Sequence, residues 1–188
     1  MNGFGLLVKE HGGKFKHFHQ GTGLKRHWRS MDSGLSAQKG ICGGLSLLFL
    51  GLQKLNGGLQ LYHKNTDSNK AIFLFAERTH QFGGINSDAA QLENAARHIG
   101  LSRASARILC STANRVARNC IQSPMGLSMV GLPGHYCAAS KKGNRVIFFD
   151  PNFGFGNFPD TLKFTTFLEN FLAMGIYRTG TMGVTWFK

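Results

Sequence analysis

Residues 135–150 constrain the fold more than any other stretch of this chain. His135-Tyr136-Cys137-Ala138-Ala139-Ser140 reads as one strand, Lys141-Lys142-Gly143-Asn144 as a turn, and Arg145-Val146-Ile147-Phe148-Phe149-Asp150 as the returning strand. A turn centred on Lys142-Gly143 sets His135 directly opposite Asp150. A turn centred on Gly143-Asn144 moves the register by two residues and leaves the pair as diagonal neighbours, still on one face because side chains alternate. In either register the carboxylate reaches the imidazole, where it can hold one tautomer and stabilise the imidazolium. Pro151 stops the strand, and Asn152 continues into a turn.

Far upstream, Gly40-Ile41-Cys42-Gly43-Gly44-Leu45-Ser46 leads into an apolar helical run. Leu45, Leu48, Phe49 and Leu52 fall at the spacing of a buried helical stripe. A cysteine at the start of such a helix meets unpaired N–H groups and the positive end of the helix dipole, which favour thiolate. Gly43 and Gly44 leave room for a substrate backbone to approach the sulfur. Taken alone, Cys42 reads more readily as a small buried hydrophobe beside a turn than as a nucleophile. Together with the His135–Asp150 hairpin it points to a thiol hydrolase.

These stretches resemble the YopT/AvrPphB-type cysteine proteases, papain-like enzymes among the effectors that bacteria deliver into host cells. The resemblance rests on Gly40-Ile41-Cys42-Gly43-Gly44-Leu45-Ser46, on Gly134-His135, and on Asp150-Pro151-Asn152-Phe153-Gly154, and it covers roughly residues 30 to 188. It implies an α+β, papain-like core, with an N-terminal helical part carrying the nucleophile and a C-terminal antiparallel sheet carrying His and Asp. By the resemblance Cys42 is the nucleophile, His135 the general base and acid, and Asp150 the orienting carboxylate. Papain-like enzymes place a Gln or Asn shortly before the nucleophile to donate to the developing oxyanion beside the Cys backbone N–H. Gln38 either fills that role here or is a solvated loop residue. The implied substrate is a host protein, with a prenylated, membrane-anchored Rho-family GTPase and a kinase as candidates. The implied setting is secretion from a bacterium and action in the host cytosol, including at the plasma membrane.

The chain divides into a basic, His/Gly-rich N-terminal segment, residues 1–36, read as a flexible or loosely docked arm, and a papain-like catalytic domain, residues 37–188. His11, His17, His19 and His27 cluster, but no carboxylate or Cys completes a tetrahedral set at a standard spacing. Neither a metal nor a cofactor is expected. The four cysteines, Cys42, Cys110, Cys120 and Cys137, are expected as reduced thiols, since the start of the chain lacks the plan of a signal peptide. Cys137 shares a face with His135 but sits mid-strand with no helix terminus to activate it. Elsewhere, Ala71–Ala76 reads as a buried strand, and Ser87 as the cap of a helix that Gly100 ends. Ser102 reads as the start of a helix carrying Arg103, Arg107, Arg115 and Arg118. Asp160 caps a helix with Phe164, Phe167, Leu168, Phe171 and Leu172 on one face and Gly175 as its stop, and residues 176–178 and 182–187 read as strands. No apolar run reaches the roughly eighteen residues that span a bilayer. Asn2 after Met1 excludes direct N-myristoylation of the chain as written.

Formal net charge is +13, with nine acidic residues in the chain. Such a field draws polyanions; an anionic membrane surface is a candidate partner, and nucleic acid the weaker one. The same field repels a polybasic tail, which counts against a prenylated GTPase unless membrane attraction offsets it, and leaves acidic or neutral targets open. The triad equally serves a deamidase or acyltransferase, because all share an acyl-enzyme. A basic binding module with an incidental Cys and His is the third class. The chain is expected to act as a monomer.

Overall fold

Two tight turns set the register of the central ribbon. Pro133-Gly134 joins one pair of strands, with Gly134 at φ +74, and Gly143-Asn144 joins the next, with Gly143 at φ +60. A positive φ at the second turn position suits Pro-Gly, and one at the first position suits Gly-Asn.

The computed structural model describes residues 3–19, 42–56, 93, 96–97, 99–177 and 180–188. In chain order these contain α1 (Gly3–Glu10), β1 (Lys14–His17), α2 (Cys42–Asn56), β2 (Ile108–Cys110), α3 (Ala113–Gln122), β3 (Leu127–Leu132), β4 (His135–Lys142), β5 (Arg145–Asp150), β6 (Gly154–Phe158), α4 (Thr161–Ala173) and β7 (Met182–Phe187). The strand expected at 71–76, most of the helix expected from Ser87, and Gln38 lie outside the described residues.

The strands form one sheet in the order β1-β6-β5-β4-β3-β7-β2, every neighbour antiparallel. Alternation along them builds two cores. Met129, Ala138, Ile147 and Phe149 pack on one face with Leu45, Leu47, Phe49 and Leu50 of α2. Val130, Ala139, Val146 and Phe148 pack on the other with Phe4 of α1, Val116 of α3, and Phe164, Phe167 and Phe171 of α4. Because helices cover both faces, all six residues of β3 are buried. The burial of α2 also extends past the stripe read from sequence: Leu47 and Leu50 are buried while Leu48 is half-buried, because Ile99 packs against its far side at Gly51.

Residues 3–17, part of the segment read as a basic arm, contribute α1 and an edge strand. The Phe4 ring meets Phe167 and Phe171 edge-on at 5.4 and 5.1 Å, and β1 pairs with β6 from Lys14↔Asn157 to His17↔Gly154. Gly154, at φ +122, is required there: a Cβ would strike the backbone carbonyl of Lys16. At the other end of the chain α4 starts as read, its first turn capped by Asp160, which accepts the Lys163 N–H at 2.8 Å.

Two expectations are corrected. The helix read from Ser102 through Arg118 is broken. Ser102 and Lys188 exchange backbone hydrogen bonds at 2.9 Å, Arg103 bridges to Phe187, and β2 pairs with β7 before α3 begins behind its Thr112 cap. Strand pairing with the C-terminal segment overrides local helical spacing. The second correction concerns the fold class. A division into an N-terminal helical part carrying the nucleophile and a C-terminal sheet carrying His and Asp does not describe this molecule. The sheet draws β1 from the N-terminal end, and a cysteine, a histidine and an aspartate (Cys137, His135 and Asp150) all lie in the sheet, on β4 and β5, with side-chain atoms within 4.8 Å of one another. Register is the reason. Lys142 pairs with Arg145 and Ala138 with Phe149, which brings Cys137 level with Asp150 and makes His135 the diagonal neighbour on the same face. The architecture is α+β, one antiparallel sheet with helices on both faces.

Candidate active site

Four donors converge on one carboxylate. Asp150 ends β5 and is fully buried. Its Oδ1 accepts the Asn152 backbone N–H at 2.8 Å and lies 3.1 Å from His135 Nε2. Its Oδ2 accepts from the Cys137 thiol at 3.2 Å and from the Tyr177 hydroxyl at 2.5 Å. The local sequence prepares this arrangement. Pro151 ends the strand, and Asp150 closes the turn that follows with both its side chain and its carbonyl, which accepts the Phe153 N–H at 3.1 Å. Both carboxylate oxygens are thereby satisfied in the buried site.

His135 opens β4, immediately after the Pro133-Gly134 turn, and is 5 % exposed. The Tyr177 ring lies flat against its imidazole, centroids 4.6 Å apart and planes 9° apart. Nε2 is taken up by Asp150, and Cys42 is the second hydrogen-bond partner of the ring. Burial alone pushes the His135 pKa down. The hydrogen bonds to Asp150 and Cys42, and the negative charge of those groups, outweigh burial and lift it to about 9. The ring is therefore an imidazolium at neutral pH, held between a sulfur and a carboxylate.

Cys42 is the first residue of α2 and is 7 % exposed. Ser46, one turn on, donates to the Tyr136 carbonyl at 3.1 Å and so ties the start of α2 to the residue beside His135. Gly43 packs its bare α-carbon toward the Tyr136 ring. Cys137 has the opposite surroundings. Burial first, then the charge and hydrogen bond of Asp150, raise its thiol well above the ordinary range. It stays an S–H and serves Asp150 as a donor.

The side-chain atoms of His135, Cys137 and Asp150 are close enough to share a metal ion. Their chemistry argues for another use. Both Asp150 oxygens are filled, and the Cys137 sulfur holds the proton that a metal ligand must lose.

His135 has Cys42 and Asp150 as its partners, and the hairpin takes the second of the two registers. Tyr177 was missed. In sequence it follows the Gly175 stop and reads as a strand residue; only the folded return of the chain after α4 lays it on His135.

Comparison with known proteins agrees with this geometry. A profile of the Peptidase_C58 family, described as Yersinia/Haemophilus virulence surface antigen, matches residues 77–187, a span that includes His135, Asp150 and Tyr177 and stops short of Cys42. The crystal structure of the avirulence protein AvrPphB of Pseudomonas superposes with a TM-score of 0.61 at 17 % identity, covering 79 % of this chain and 91 % of that one. PatoxP, a cysteine protease-like domain of the Photorhabdus asymbiotica toxin PaTox, superposes with a TM-score of 0.52 at 14 % identity, covering 96 % of this chain and 57 % of that one. No curated protein matches by sequence. With more than half of its length matched and a Cys-His-Asp set in place, the chain belongs to the Peptidase_C58 family of papain-like cysteine proteases.

Proposed function

We propose that this chain is a cysteine endopeptidase of the effector type, with Cys42 as nucleophile, His135 as general base and acid, and Asp150 as the orienting carboxylate. The observation that carries the proposal is the position of His135, hydrogen-bonded to Cys42 on one side and to Asp150 on the other. The Cys42 thiolate attacks the scissile carbonyl carbon, and the tetrahedral oxyanion forms beside the backbone N–H at the start of α2. Gln38 supplies the second donor to that oxyanion in this reading. The His135 Nδ1 proton passes to the leaving amine, the C–N bond breaks, and a thioester remains on Cys42. Neutral Nδ1 then takes a proton from water, whose oxygen attacks the thioester and restores thiolate and imidazolium. Cys137, kept protonated by burial, takes no part in bond making.

The substrate in this reading is a host protein. Family membership and a net charge of +13 support action in the host cytosol near an anionic leaflet, where a prenylated Rho-family GTPase is a candidate target. The same charge favours an acidic or neutral target over the basic tail of such a GTPase. The test is expression of the wild-type chain and a Cys42→Ala variant in host cells, with newly exposed protein N-termini compared by mass spectrometry. The reading expects termini present only with the wild type. Equal cleavage by Cys42→Ala refutes it, and deamidated or acyl-modified side chains without new termini transfer the triad to that chemistry instead.

A further inference from the structure

Arg107 lies in a bed made for it by two glycines on the α2 side of the sheet. Gly131 of β3 and Gly183 of β7 are directly paired. A Cβ on Gly183 would fall 2.9 Å from Arg107 Cγ and 3.1 Å from Cδ, so the arginine stem occupies the space a side chain there would fill. A Cβ on Gly131 would meet Arg107 Nη2 and Tyr136 Cε1, each at 3.3 Å. The guanidinium thus ends beside the Tyr136 ring. The opposite edge of that ring faces Gly43, next to Cys42 at the start of α2. Arg107 is exposed, and no carboxylate among the described residues pairs with it. The N–H donors of a guanidinium lie in its plane and point out from its edge, and an exposed edge without a carboxylate partner is free to engage one bidentately.

We propose that Arg107 is a specificity-determining residue that binds an Asp or Glu side chain of the substrate close to the scissile bond, a proposal that rests on the endopeptidase reading above. The charge of the chain acts in the same direction: at +13, an acidic segment is drawn toward the cleft before it docks. Arg107 touches neither His135 nor Asp150 and makes no contribution to bond breaking.

The test is cleavage of a randomised peptide library by the purified full chain, with cut sites read by mass spectrometry, for the wild type, Arg107→Glu and Arg107→Gln. The wild type should favour Asp or Glu at one position near the cut. Arg107→Gln should flatten that preference by roughly tenfold, and Arg107→Glu should replace it with Lys or Arg at the same position, with cleavage by both variants still dependent on Cys42. Should Arg107→Glu fold poorly, Arg107→Gln, which keeps the stem in the glycine bed, decides alone. An unchanged preference in a folded variant, with cleavage still dependent on Cys42, overturns the assignment of Arg107 and leaves the protease standing. Absence of any Cys42-dependent cleavage by the wild type overturns both.

Discussion

Replacing Asp150 with Asn removes a charge and almost nothing else, which makes it the sharpest perturbation of this site. The amide oxygen must stay toward the Asn152 N–H, which can only donate, so His135 keeps an acceptor as well. The amide NH2 then faces the Tyr177 oxygen and the Cys137 sulfur, both of which can turn to accept. Geometry survives, but His135 loses the partner that contributes most to raising its pKa, while the burial that lowers it remains. The gap between about 9 and the ordinary 6.5 corresponds to roughly 3 kcal/mol at about 1.4 kcal/mol per pH unit. Because the folded value lies above the unfolded one, this stability is fully present below about pH 6.5 and is lost as pH rises through about 9. Asp150→Asn should therefore destabilise the protein by roughly 2–3 kcal/mol at pH 6 in urea unfolding, with a smaller difference at pH 10. Reactivity gives a second readout that needs no substrate. The rate at which iodoacetamide alkylates Cys42 should change in the wild type as pH passes about 9, where the imidazolium deprotonates. In Asp150→Asn that step should move down by at least about one pH unit. A step that remains near 9 in the variant would mean that the carboxylate is not what keeps His135 charged, and the electrostatic reasoning would fail.

Other outcomes follow from the same geometry. Tyr177→Phe keeps the ring stacked on His135 but deletes a hydrogen bond to a charged group, and should lower stability by about 1.5–3 kcal/mol in denaturant unfolding; a loss well under 1 kcal/mol would contradict the bond. Phe4→Ala opens a cavity among Phe167, Phe171 and Phe148 and should cost about 3–5 kcal/mol by the same measurement; a wild-type midpoint would mean that α1 is not part of the core. Cys137→Ala should retain cleavage of any Cys42-dependent substrate within roughly tenfold, since the thiol is one donor of four to Asp150. Abolished cleavage in a folded Cys137→Ala protein would refute its assignment as a donor.

The site was more legible in the sequence than the frame around it, and the reasons are physical. Strand period and turn chemistry place His135 and Asp150 on one face whichever turn is chosen, so the pair survives an error of register. The register itself was not legible, because Lys142-Gly143 and Gly143-Asn144 are both acceptable turns; only the folded ribbon brings Cys137 level with Asp150 and gives the carboxylate its thiol donor. Tyr177 carries no local signal, since its role depends on contacts with residues 27 and more positions away. Arg103 and Arg107 fall at helical spacing, yet the segment pairs with β7, an interaction that no local window contains. Phe4 and Val8 sit four apart in a short helix that reads as part of a basic, His/Gly-rich arm, until the aromatic side chains of α4 supply the pocket that buries them.

Two sulfurs lie beside His135, and the one that reacts belongs to Cys42, not Cys137. Brief treatment of the native protein with limiting iodoacetamide at neutral pH, followed by peptide mapping, tests it directly. Carbamidomethylation is expected at Cys42, with Cys110, Cys120 and Cys137 protected by burial, and Cys42 labelling should fall sharply in a His135→Ala variant. Preferential labelling of Cys137, or labelling of Cys42 that His135→Ala leaves unchanged, would contradict it.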